Sequence, residues 1–321
     1  MSSPPTKPEF ASPSTLDLPT RLRGLAELLR IPNVFTAAAD ILLGYLFTHP
    51  DLTPAPLVAM LLGASGLIYL AGMALNDYFD RQRDAHERPS RPIPSGRVAA
   101  STARAIGFAF LAGGVALGAG AAAMGGQARP AIVAAALAAL VVLYDAALKS
   151  TPLAPLGMGG CRFLNVLLGM SLLDGEWQTI NYLVAAGVGV YIAGVTWFAR
   201  TEAVESSRPA LVGAIVVMLA GLGLLVVMPR WTTLDYPLLV QEPDRWFVFW
   251  AIVAALMGWR CGLAVLDPQP AIVQSAVKNC IFSLIVIDAG ACYAAQGTFH
   301  VMVIVAMLVP TMLLGRFVYS T

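Results

Sequence analysis

Between Asn76 and Arg97 the chain reads NDYFDRQRDAHERPSRPIPSGR. Asp77, Asp80, Asp84 and Glu87 are interleaved with Arg81, Arg83, Arg88, Arg91 and Arg97. Asn76, Asp80 and Asp84 stand at i, i+4 and i+8. Each helical step of four residues turns about 400°, so the three oxygen-bearing side chains stay on one broad face. At the mouth of a membrane helix such a face suits Mg²⁺, which takes carboxylate ligands and leaves positions for water and substrate phosphates. Arginines beyond it can grip phosphate oxygens, bidentately where geometry allows. A solvated loop whose charges only fix topology is the plainer alternative.

A second charged stretch, WFARTEAVESSRP from Trp197 to Pro209, carries Glu202 and Glu205. In helical register the two glutamates are at i, i+3 and share a face, and Thr201 and Glu205 are at i, i+4. Read this way, Glu202 and Glu205 form a second metal-binding edge across a cavity from the first. Ionisable residues inside apolar stretches add further candidates. They are Asp40, Asp145 with Lys149, Arg162 beside Asn165, and Lys278 before Asp288. Asp145 and Lys149 are spaced for an intrahelical ion pair, and a ligand role for them is equally open. Cys161, Cys261, Cys280 and Cys292 form no metal-binding spacing and read as packing residues.

The elements that must position these residues are helices in a membrane. The 321 residues are 58% hydrophobic and only 12% charged, against about a quarter charged in soluble domains. Long apolar runs, not short alternating ones, exclude a β-barrel. A net charge of +1 gives no basis for a nucleic-acid partner. Apolar stretches predict spans near 24–48, 55–78, 99–124, 129–148, 153–173, 179–200, 208–228, 245–266, 270–294 and 299–318, with nine spans as the alternative to ten. Lys and Arg concentrate before the first span and in the even-numbered connections. The positive-inside rule therefore puts both charged stretches on the cytoplasmic side. The connection after the seventh span is mixed in sign, with Arg230, Asp235, Glu242, Asp244 and Arg245. Residues 1–20, rich in Pro, Ser and Thr, predict a disordered cytoplasmic tail before a single membrane domain over 21–321.

The stretch NDYFDRQRDAHERPSRPIPSG resembles the first aspartate-rich motif of the UbiA superfamily of membrane prenyltransferases, NDxxDxxxD followed by an RPxPSG-like segment. RIPNVF in the first span and LYDAALKSTPLAPLGMGGCRFLNVLLG around the fifth extend the resemblance over about residues 20–295. It implies an all-α, polytopic transmembrane bundle of nine or ten helices around a central cavity. It also implies Mg²⁺-dependent transfer of a prenyl group from a polyprenyl diphosphate to an acceptor, often aromatic. By this likeness Asn76, Asp80 and Asp84 would hold Mg²⁺. Arg91, Lys149, Tyr144 and Asn165 would lie on the diphosphate side, with Asp80, Asp84 and Lys149 at the chemistry. Arg81, Arg83, Arg88 and Arg97 would serve topology. The family's second motif, DxxxD, is replaced here by TEAVE (residues 201–205), a pattern that resembles a divergent bacterial branch; the expected location is a bacterial inner membrane, with the site on the cytoplasmic side. The alternative expectation is a non-catalytic relative that binds or transports an isoprenoid or lipid-like precursor.

Overall fold

A computed structural model describes residues 17–202, 205–231, 243–296 and 298–315. Among these residues the structure is helical throughout, without strands. The helices are α1 (Leu18–Leu29), α2 (Val34–Thr48), α3 (Ala55–Glu87), α4 (Ala100–Gly125), α5 (Arg129–Ala146), α6 (Ala154–Gly169), α7 (Thr179–Phe198), α8 (Arg208–Val227), α9 (Pro243–Leu266), α10 (Pro270–Tyr293), α11 (Thr298–Val305) and α12 (Leu308–Leu314).

Among the described residues eight segments are long and apolar enough to cross a membrane, counting α1 and α2 as one. The protein is thus an integral membrane protein. Where the residues are described, all ten predicted spans contain helix. The fifth is a 16-residue helix, and the tenth is divided between α11 and α12. The first is also divided. Arg30 takes a left-handed conformation (φ 46°), and Ile31–Asn33 form a short 3₁₀ turn where Pro32 cannot continue the helical ladder. Helix α1 starts at Leu18, so the last residues of the expected tail are helical. The rest of that tail (1–16), most of the mixed-sign connection (232–242) and Arg316 lie outside the described residues.

Consecutive helices from α2 to α10 pack on one another, except that α2 also packs against α6. Helix α10 returns to α2 and closes the bundle. Close approach at the centre depends on glycine. A methyl on Gly44 of α2 would lie 2.2 Å from the Val166 carbonyl oxygen. One on Gly169 of α6 would lie 2.5 Å from that of Ile41. This crossing brings the polar residues of α6 against those of α2.

Helix α3 organises the charged end. Its 33 residues extend about 50 Å at 1.5 Å per residue, well beyond the roughly 30 Å hydrocarbon core. It does not stop at residue 78, where the apolar run gives out, but continues through Asp80 and Asp84 to Glu87. Pro89 favours termination there. The SRPIPSG segment then folds into tight turns, with Ser95 N–H donating to the Arg91 carbonyl and Val98 N–H to that of Pro92, both at 3.0 Å. Gly96, at φ 75°, supplies the left-handed turn.

Candidate functional site

At the charged end of α3, each carboxylate is held by a cation. Asp77, buried, is 3.3 Å from the Arg91 guanidinium and 3.5 Å from that of Arg30. Asp84, also buried, is 2.7 Å from Arg91. Asp80 is 2.8 Å from the Lys149 ammonium and 3.1 Å from Arg83. Arg91 thus joins two buried carboxylates. Burial works against its charge, but Asp77 and Asp84 outweigh it and hold its pKa above the ordinary value.

Lys149 reaches this cluster because α5 ends at Ala146 and Lys149 sits on the 3₁₀ turn Leu148–Ser150. The intrahelical Asp145–Lys149 pair allowed by the spacing is not formed. Lys149 pairs with Asp80 and donates to the Asn76 carbonyl (3.3 Å), while Asp145 accepts from the Asn76 amide (3.2 Å). The second Asp145 oxygen is buried without a partner.

Three connected spaces meet here. An outer basin of about 380 Å³ includes Arg30, Asp77, Arg88, Arg91 and Arg97 in its lining. A central chamber of about 320 Å³ shares Arg30, Arg88, Arg91, Glu202 and Gln274 with it, and continues past Asn76, Tyr144 and Arg162. A narrower, mainly apolar pocket of about 80 Å³ opens from Asn76, Tyr144 and Arg162 towards Ile68, Met73, Leu137, Val141 and Met158. Charge at one end and an apolar pocket at the other match a ligand with an anionic head and a hydrocarbon tail.

Of the residues expected at the site, Asn76, Tyr144, Arg91 and Glu202 line the chamber. Asp80, Asp84 and Lys149 stand behind this lining in their ion pairs. Asn165 lies elsewhere than expected. Its amide donates to the Ala37 carbonyl and to Asp40, both at 2.9 Å, and its oxygen accepts from Ser65 at 2.7 Å. With its hydrogen-bonding groups committed in the core, it is a scaffold for the pocket wall. Arg162 joins the same network, 2.9 Å from Asp40, and Asp288 meets Asp40 from α10 with neither of its oxygens holding a donor.

The second segment also departs from the expected register. Helix α7 ends at Phe198 and Ala199–Thr201 form a 3₁₀ turn, so Glu202 and Glu205 do not share a helical face. Glu202 enters the chamber, 4.0 Å from Arg88. Burial pushes its carboxyl above the ordinary glutamate range, partly offset by Arg88 and Arg30. Glu205 is exposed and lines none of the three spaces. Arg88 and Arg97 do more than fix topology. Both line the basin, and Arg97 pairs with Glu27 of α1. Arg30 and Gln274 are lining residues that sequence reasoning missed, and Arg88 is one that it assigned to topology. Arg30 had a local signal in the RIPN break and Arg88 in the charged stretch itself; Gln274 had none.

Asn76, Asp80 and Asp84 offer hard oxygen donors of the kind Mg²⁺ takes. They are stacked along one helix, Asn76 and Asp84 about 12 Å apart in rise, and among the described residues no three Asp, Glu, His or Cys side chains converge as a metal set. No single ion spans that distance; neighbouring rungs, about 6 Å apart in rise, fit ions that take most of their ligands from water and a phosphorylated substrate.

The UbiA prenyltransferase family model matches residues 37–282. Digeranylgeranylglyceryl phosphate synthase of Methanopyrus kandleri is 35% identical over 161 residues, covering 49% of this chain and 57% of that protein. The chain spans about half the length of the curated relatives it matches, and those relatives are archaeal. A solved structure of digeranylgeranylglyceryl phosphate synthase superposes with a TM-score of 0.61 at 19% identity, covering 86% of this chain and 98% of that one. A homologue from Archaeoglobus fulgidus, bound to DMAPP and Mg²⁺, superposes with a TM-score of 0.52 at 13% identity, covering 83% and 99%. These structural likenesses bear on the fold.

Proposed function

The chain belongs to the UbiA prenyltransferase family, and from that premise we propose that it transfers an isoprenoid group from a polyprenyl diphosphate to a lipid-like acceptor. The observation that carries this reading is the junction at Asn76 and Tyr144, where the cation-lined chamber opens into the apolar pocket. The isoprenoid tail occupies the pocket and the diphosphate occupies the chamber. The relatives' name points to an acceptor of the glycerophosphate lipid kind ahead of an aromatic ring.

In the proposed reaction the allylic C–O bond breaks, the diphosphate leaves with the electron pair, and a carbocation develops. An acceptor hydroxyl forms the new bond to that carbon and releases its proton. Asn76, Asp80 and Asp84 would hold Mg²⁺, which would supply charge stabilisation to the leaving diphosphate. Lys149 and Arg91 add fixed positive charge on the same side. Arg30 and Arg91 keep Asp77 neutralised, and Arg83 and Lys149 hold Asp80 in place. The apolar pocket wall keeps water from the cation. The charged end faces the cytoplasm, in keeping with the positive-inside distribution of the loops. A bacterial inner membrane is the proposed setting, although the relatives named above are archaeal.

Incubating the purified protein with radiolabelled prenyl diphosphates and a glycerophosphate lipid, with and without Mg²⁺, tests the proposal. It predicts Mg²⁺-dependent diphosphate release and a prenylated lipid, both lost in Asp80→Asn. The exposed position of Glu205, away from the chamber, favours a second reading, a protein that binds or transports an isoprenoid without transferring it. Tight binding of prenyl diphosphate, lost in Asp80→Asn but with no turnover on any acceptor, would select that reading.

A further inference from the structure

We propose that Lys278 of α10 is a phosphate-binding residue of the central chamber, acting from the wall opposite the aspartate-rich end of α3. The inference rests on the prenyl diphosphate reading and names a contact that this reading does not require.

Five cations line the chamber: Arg30, Arg88, Arg91, Arg162 and Lys278. Each arginine has a carboxylate. Arg30 and Arg91 share Asp77, Arg88 faces Glu202, and Arg162 holds Asp40. Lys278 differs. Among the described residues no carboxylate lies within ion-pair distance of its ammonium, which stands over the Phe282 ring, 5.8 Å from the centroid. The side chain is exposed and borders the chamber about two turns into a membrane helix. An ionisable group in such a segment is costly unless something uses its charge.

The neighbourhood favours an anion. Gln274, one turn earlier on α10, donates to the Glu202 backbone carbonyl at 3.2 Å and ties this helix to the TEAVE segment. On that side Glu202 is the one carboxylate in the chamber lining, and it already faces Arg88. The wall is thus net positive. An ammonium on a flexible four-carbon stem, with three donors, can follow a phosphate oxygen without the fixed geometry a guanidinium demands.

The phosphate has two sources, the donor diphosphate and a phosphate on the acceptor. Calorimetric titration of the full-length protein in detergent, with Mg²⁺, would use inorganic diphosphate in one arm and glycerol 1-phosphate in the other. Lys278→Gln should weaken at least one ligand by about tenfold or more, as expected for a lost charged hydrogen bond. Lys278→Arg should restore most of it. Loss confined to diphosphate assigns the donor, and loss confined to glycerol 1-phosphate assigns the acceptor. A thermal melt of each variant keeps misfolding apart from lost binding, with Lys278→Met as a second neutral variant. If the wild type binds diphosphate, Asp80→Asn abolishes that binding and both neutral variants bind both ligands like wild type, Lys278 is not a phosphate contact and only this inference falls. If the wild type binds neither ligand, the prenyl diphosphate reading falls and takes this inference with it.

Discussion

The ammonium of Lys149 lies 2.8 Å from the Asp80 carboxylate, although the two come from different helices and neither borders the chamber directly. The pair couples the end of α5 to the acidic end of α3. It also sets Lys149 against the backbone of Asn76, whose carbonyl accepts from its ammonium at 3.3 Å.

Lys149→Met should lower prenyl transfer on the order of 10²–10³-fold, the range for removing one preorganised charge-stabilising donor. Asp80→Asn should lose most of its activity, and its residual rate should need more Mg²⁺ to reach half-maximum. A double variant measured alongside the singles would show strong non-additivity. Simple addition of the two effects would mean that they act independently.

Removing Arg91 is predicted to harm the fold before the chemistry. Arg91→Ala leaves buried Asp77 with Arg30 alone and, among the described residues, buried Asp84 with no ion-pair partner. Breaking a buried pair in this way costs about 3–5 kcal/mol. Thermal unfolding in detergent should show a large drop. Arg91→Lys should recover only part of it, because the lysine side chain is one bond shorter than the reach to Nη1, the single nitrogen that meets both carboxylates.

Glu202 gives a pH dependence. Its carboxyl is raised in the folded protein, so the native state binds its proton more tightly than the unfolded chain does. The stability this contributes is present below the ordinary glutamate pKa of about 4.3 and is lost as pH rises through the raised value. Glu202→Gln should therefore unfold at a temperature that depends less on pH across that window. Melting curves of both proteins over a pH series should draw apart towards neutrality, with the variant higher. Parallel curves would show that the burial of Glu202 carries no energetic weight.

The α2–α6 crossing predicts a steric failure. Gly44→Val places a branched side chain where even a methyl would press on the Val166 carbonyl. Overpacking of this kind costs about 1–3 kcal/mol or more. The variant should yield little monodisperse protein in size-exclusion chromatography, whereas substitutions on the exposed face of α4, such as Phe108→Leu, should not.

What was legible in the sequence was whatever a single helix determines. The i, i+4, i+8 register of Asn76, Asp80 and Asp84 needed only the helical period, and α3 carries it unbroken to Glu87. The ten apolar stretches were visible because lipid demands them. The pairing of Lys149 with Asp80 and of Arg30 with Asp77 was not legible, since both join residues brought together only by packing. Asp145 and Lys149 misled for a related reason. Their spacing assumed a helix that ends between them. TEAVE failed likewise, because helical periodicity was extended beyond Phe198, where α7 stops. Asn165 had the right chemistry for a phosphate, but three partners in the core had already claimed it.

Helix α3 is at once a membrane wall and the carrier of the acidic rungs, with no hinge between the two. The height of Asp80 and Asp84 above the lipid is therefore set by where the apolar half of the same rod settles in the hydrocarbon. A thicker or thinner bilayer changes that depth or the tilt of the rod, and it moves the charged chamber along with it. The lipid surrounding this protein is in that sense a structural component of its site, setting how far chamber and pocket together stand from the membrane surface.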